Sequence, residues 1–124
     1  MPEEYKYRLR VKAHFEAAHR LEWHQKCCQL HGHTYHVELV IGSNELDENG
    51  IVIDLGIARE ILESNLPDHV YLNDLMDNPT VELIADKILS AIRYTLTARG
   101  YGHHQPYPIE LTVWETPTGG VTVT

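Results

Sequence analysis

The stretch Tyr7–His19, "YRLRVKAHFEAAH", alternates loosely between polar and apolar residues, and a second alternating run, "TYHVELVI", follows at residues 34–41. A period of two residues is the signature of a half-buried β-strand, so both segments read as strands. Between them, "RLEWHQKCCQLHG" has no clear period and is long for a hairpin connection. Loops of that length inside a small domain are often functional. This reading puts Cys27 and Cys28 on a loop and His31 and His33 at the start of the second strand.

Downstream, "GSNELDENG" is rich in turn residues, and "IVID" reads as a short strand ending at Asp54, a good helix N-cap. A helix over residues 56–66 follows. Ile57, Ala58, Ile61 and Leu62 give it one apolar face, and Pro67 stops it. After the loop "PDHVYLNDLMDNP", residues 80–99 carry the clearest helical pattern, an apolar stripe from Val81 to Leu96 entered at Pro79 and left at Gly100. The segments "IELTVWET" and "GVTVT" then alternate again and pair as a hairpin through "PTGG".

Strand, strand, helix, helix, strand, strand implies an α+β fold: a four-stranded antiparallel sheet with two helices on one face. The other face is left free. Taken as apolar, it predicts oligomerisation.

The 124 residues, 43% of them hydrophobic, suffice for one core, so residues 1–124 are read as a single domain without a linker. The longest apolar runs fall far short of the ~20 residues of a membrane-spanning helix, which argues against a membrane protein. The start, "MPEEYKYRLR", is acidic and mixed, unlike a secretory signal, so a cytoplasmic location is expected. The two cysteines are adjacent and unsuited to an ordinary loop-closing disulfide, and both are read as reduced thiols. A formal charge of −8 argues against nucleic acid as a partner. An anionic small substrate remains open, given a local cluster drawn from the 10 Lys and Arg.

The chemistry concentrates in "CCQLHGH" at residues 27–33. His31 and His33, two apart on a strand, point to one face, and His19 at the end of the neighbouring strand can reach it. Three imidazoles with an open fourth position are the pattern of a catalytic zinc site. Cys27 overhangs that site, and a thiol beside a divalent cation and an imidazole ionises readily, making it a usable base or nucleophile. Cys27 as a closing fourth ligand is a competing reading that spacing alone does not exclude, with Cys28 a buried bystander. Asp68 and His69 are adjacent on a loop, where the carboxylate could orient an imidazole that relays protons, or simply cap a turn. Glu115, near the end of an apolar strand, could accept two parallel N–H bonds from an amidine-like edge, or be an ordinary surface residue. His14, His24, His36, His103 and His104 receive no role.

Taken together, "FEAAHRL", "CCQLHGHTY", "GIVIDL", "PDHVYLND", "NPTVELIA" and "VWETPTGG" resemble, in order and nearly end to end, the 6-pyruvoyltetrahydropterin synthase and 6-carboxytetrahydropterin synthase family. The resemblance implies the tunnelling fold, or T-fold, in which trimers close a twelve-stranded barrel and pair into hexamers with sites between subunits. It makes His19, His31 and His33 the ligands of Zn²⁺ and Cys27 the proton-abstracting residue. It also makes Asp68 and His69 a relay pair from a neighbouring subunit and Glu115 the pterin anchor.

The substrate it implies is 7,8-dihydroneopterin triphosphate. The product is 6-carboxy-5,6,7,8-tetrahydropterin with acetaldehyde and triphosphate, as in queuosine (7-deazaguanine) biosynthesis; alternatives are triphosphate elimination only, giving 6-pyruvoyltetrahydropterin, or a non-enzymatic zinc- or pterin-binding oligomer. Three positions depart from the family pattern: Cys28, Pro67 and Val70. Cys28 leaves open which thiol serves.

Overall fold

A computed structural model describes residues 4–101 and 106–124. His103 and His104 lie outside the described residues. Strand β1 (Tyr7–His19) pairs antiparallel along its full length with β2 (His31–Ser43), from Tyr7 opposite Ser43 to His19 opposite His31. Helix α1 (Leu55–Ser64) starts at Asp54, whose carboxylate accepts the Ile57 N–H at 3.0 Å. Strand β3 (Val70–Tyr71) runs into a 3₁₀ turn (Leu72–Asp74). Helix α2 (Val81–Ala98) is capped by Thr80 and ends before Gly100, whose φ of 93° suits glycine. Strands β4 (Tyr107–Thr116) and β5 (Gly119–Val123) form the closing hairpin.

The sheet order is β3-β1-β2-β4-β5. The four long strands are antiparallel neighbours as expected, and β3 adds a short parallel rung against Ala17 and Ala18. Two residues are too few to leave a period in the sequence.

One face of the sheet is covered by the helices, α1 over β1 and α2 over β4 and β5. Val11, Phe15, Tyr35, Leu39, Leu111 and Val113 are buried there against Ile61, Leu62, Ile88 and Ile92. Phe15 and Tyr35, opposite each other in the register, stack at 4.7 Å. Fully burying side chains of this size contributes about 1.5–3 kcal/mol each.

The open face is polar, which corrects the expectation of a free apolar face. Arg8, Arg10, Lys12, His14 and Glu16 are exposed on β1, Arg10 reaches Glu38 at 3.5 Å, and His14 faces His36 with ring centroids 5.9 Å apart. The alternation that sends apolar side chains under the helices sends charge to the other side. Among the described residues the sheet's edges are what stay open: β3 covers only two residues of β1, and β5 is the last strand on the other side.

The "IVID" segment is not a strand. Ile51 N–H bonds the Asp47 carboxylate and Ile51 C=O accepts from Asp47 N–H, so its backbone closes a turn instead of joining a ladder. Its apolar content is used in packing, with Ile53 in the core.

Candidate metal centre and active site

The β1–β2 register sets the centre. His19 lies directly opposite His31, and His33 opposite Ala17, so the three imidazoles project from the covered face at one end of the sheet. His19 is fully buried, His31 and His33 partly so. The His19 and His31 Nε2 atoms are 3.0 Å apart, and one ligand atom from each residue falls within 4.8 Å of the others. Zn–N bonds of ~2.0–2.1 Å in a tetrahedron require ligand nitrogens a little over 3 Å apart, so small shifts suffice to seat an ion.

The donor chemistry fits as well. His19 Nδ1 lies 2.9 Å from the Pro79 carbonyl and His31 Nδ1 2.8 Å from that of Gln29. A carbonyl only accepts, so both Nδ1 atoms carry the proton and both Nε2 lone pairs face the centre. Burial holds His33 below the ordinary imidazole pKa, assisted by the other two imidazoles and opposed by Glu115, which favours the neutral, ligating form. The triad can hold a metal ion.

Glu115 comes from the other hairpin. The β4–β5 register shifts between Trp114 and Thr116, leaving Glu115 as the extra residue of a bulge, a device that re-aims a side chain. Its carboxylate stands 3.4 Å from His19 Nε2 and 3.9 Å from His33 Nε2. Tyr35 closes the floor: burial first, then the charges of Glu115 and Cys27, push its phenol pKa far up.

Cys27 is half-buried on a loop folded around His24, a residue given no role from the sequence. His24 Nδ1 accepts the N–H groups of Lys26 at 3.1 Å and Cys27 at 3.0 Å, and the Cys27 carbonyl accepts from Leu21 N–H. The three-residue spacing from His24 to Cys27 is the local signal for this cap-like turn. Cys28 is engaged elsewhere, its thiol donating to the Gln25 carbonyl at 3.4 Å.

Asp68 and His69 form a pair of their own, Oδ2 to Nδ1 at 2.9 Å. The Glu16 N–H, donated to Asp68 Oδ1 at 2.9 Å, holds the carboxyl below its usual range. His69 has φ of 59°, uncommon for a non-glycine residue and often found at functional sites. The pair is exposed, and His69 borders a groove at the β1 edge with Glu16, Ala17, Ala18, Gly32, His33 and Thr34. The structure brings His19, His31 and His33 together with Glu115, while Asp68 and His69 bond to the β1 backbone at Glu16 and border the groove that His33 also lines.

The fold matches solved structures of pterin enzymes. The Caenorhabditis elegans 6-pyruvoyl tetrahydropterin synthase superposes with a TM-score of 0.80 at 22% identity, covering 95% of this chain and 94% of that one. The Plasmodium falciparum 6-pyruvoyl tetrahydropterin synthase gives 0.74 at 22% identity, covering 94% and 96%. In sequence the chain is 30% identical to the 6-carboxy-5,6,7,8-tetrahydropterin synthase of Bacillus subtilis, over 92% of this chain and 82% of that protein. It is 38% identical to the dihydroneopterin monophosphate aldolase of Pyrococcus furiosus, over 73% of this chain and 79% of that protein. The 6-pyruvoyl tetrahydropterin synthase family matches residues 8–124, and the chain belongs to that family of lyase-type enzymes.

Proposed function

We propose that this protein converts 7,8-dihydroneopterin triphosphate and water to 6-carboxy-5,6,7,8-tetrahydropterin, releasing acetaldehyde and triphosphate, as a cytoplasmic zinc enzyme of queuosine biosynthesis. It works as a single-domain chain in a homohexamer, a dimer of trimers. The observation that supports this best is the convergence of His19, His31 and His33 beside Glu115, together with the similarity to the B. subtilis synthase.

His19, His31 and His33 would hold the zinc, which when bound would supply Lewis-acid polarisation of substrate oxygens and stabilise developing negative charge. Glu115 accepts the two N–H bonds of the 2-amino-N3 edge and so sets which carbon faces the thiol. Cys27 takes the C–H proton. Asp68 and His69, paired at 2.9 Å, serve a neighbouring subunit's site, where Asp68 orients the imidazole and His69 relays the proton.

A second reading follows from the P. furiosus relative, which is named an aldolase acting on dihydroneopterin monophosphate. The same metal and thiol would suit a retro-aldol cleavage between the two hydroxylated carbons of the side chain, releasing a phosphorylated two-carbon aldehyde. Zinc-loaded protein incubated with dihydroneopterin triphosphate is expected to yield acetaldehyde and the carboxy product. Triphosphate and the 6-pyruvoyl product without acetaldehyde would mean elimination only. A phosphorylated aldehyde from dihydroneopterin monophosphate would favour the aldolase, and zinc binding without turnover of either pterin a non-enzymatic role.

A further inference from the structure

His19 is the last residue of β1, and strand ends fray unless something holds the backbone beyond them. Alternate residues of a strand present N–H and C=O to the same edge, so Glu16, Ala18 and Arg20 all face β3. The Glu16 carbonyl accepts from His69 N–H at 2.6 Å, and Val70 and Tyr71 pair with Ala17 and Ala18. There β3 turns away into its 3₁₀ turn. The next rung, at Arg20, is made by a side chain: Asn73 Oδ1 accepts the Arg20 N–H at 2.9 Å, and Asn73 Nδ2 donates to the Arg20 C=O at 3.0 Å. One partner only donates and the other only accepts, so the orientation of the amide is unambiguous.

The same segment holds the ligand and its loop at two further points. Pro79 C=O takes the His19 Nδ1 proton at 2.9 Å, and Asn78 Oδ1 accepts from Trp23 Nε1 at 2.8 Å, tying down the loop that leads to Cys27. We propose that Asn73 is a positioning residue of the metal centre: its amide replaces the missing β3 rung, fixes the backbone just past His19, and so holds that imidazole in its ligating pose. The proposal rests on the metal reading of the triad. The amide suits the task because it carries the acceptor and the donor of a peptide group on one plane. Aspartate would keep the acceptor and lose the donor.

The test compares the whole protein with Asn73→Ala, Asn73→Asp and a control, Asn65→Ala. Asn65 makes comparable side-chain hydrogen bonds to Ile61 C=O and Thr95 away from the centre. Zinc affinity is measured by competition with a chromophoric chelator, thermal unfolding on the metal-free proteins, and ligand geometry from the visible spectrum of the cobalt-substituted forms. Asn73→Ala is expected to weaken zinc binding about 10–100-fold and alter the cobalt spectrum, with Asn73→Asp intermediate. Asn65→Ala should lower the melting temperature and leave zinc affinity unchanged.

Wild-type affinity in both Asn73 variants, or an equal loss of affinity in Asn65→Ala, would overturn the proposal. Should Asn73→Ala not fold, Asn73→Asp decides by the same comparison. No zinc uptake by the wild type would sink the metal reading and this proposal together, a pattern distinct from failure of the proposal alone.

Discussion

Glu115 Oε2 lies 3.4 Å from His19 Nε2, so a carboxylate of the closing hairpin stands over the imidazoles of the opening one. At that position it either anchors the pterin or joins the ligands, and the two roles separate on substitution. Glu115→Gln keeps the shape and removes the charge. With three imidazoles as the ligand set, the variant should retain its zinc and lose pterin affinity by about 10–150-fold, the worth of a hydrogen bond to a charged group. Zinc analysis and pterin binding on the same preparation check this; loss of the metal would move Glu115 into the ligand set.

The purified protein should carry about one zinc per chain, because three neutral imidazoles with an open position suit that ion. His31 donates Nδ1–H to Gln29 C=O and faces His19 directly across the ladder, so its removal leaves only two of the three. His31→Ala should come out nearly metal-free by atomic absorption. A fully loaded His31→Ala protein would refute the ligand assignment.

The sequence made β1 and α2 legible because their patterns are local: a period of two over Tyr7–His19, and a 3.6-residue stripe between Thr80 and Gly100. The triad was legible for the same reason, since two histidines at a strand spacing and one at the end of the partner strand need only the pairing to meet. What stayed hidden depends on backbone carbonyls or on contacts distant in sequence. Pro79 and Gln29 act through backbone carbonyls, which leave no side-chain signature, and Asn73 matters only because β3 stops at Tyr71. The polar open face is written in the other half of the same alternation, at Arg8, Arg10, Lys12 and His14.

Tyr35 should give the native state an alkaline limit. Its phenol pKa is raised by burial, then by Glu115 and Cys27, so the folded chain keeps a proton that the unfolded chain loses near pH 10. Folded above unfolded means the contribution is complete below pH 10 and declines as pH rises toward the folded value. Urea unfolding between pH 9 and 11, a range taken around the ordinary tyrosine value of about 10, should show stability falling for the wild type. The fall should be shallower by up to about 1.4 kcal/mol per pH unit in Tyr35→Phe. Identical pH profiles would contradict it.

The protein should be a hexamer in solution, although not for the sake of an apolar sheet face. Arg8, Arg10 and Lys12 make that face polar, whereas among the described residues most of β1's outer edge and that of β5 have no neighbour in the sheet. Exposed edges on opposite sides of one sheet favour head-to-tail pairing, which closes into a ring when the rotation allows. Multi-angle light scattering at micromolar concentration should give six chains, and a stable monomer would rule out both the barrel and the shared site.

The two thiols should separate cleanly. Cys27 is held by the His24 turn, whereas Cys28 donates its S–H back to Gln25 C=O. If Cys27 moves the C–H proton, Cys27→Ala should cost on the order of 10²–10⁴ in turnover, the usual worth of a positioned acid–base group, while zinc and pterin binding stay near wild type. Cys28→Ala should cost little, because its hydrogen bond is local and replaceable by water. Turnover and zinc content are measured side by side. Loss of zinc from Cys27→Ala would make that residue a ligand instead of a base. An inactive Cys28→Ala beside an active Cys27→Ala would assign the chemistry to the other thiol, and would require the loop to turn Cys28 away from Gln25 when the pterin binds.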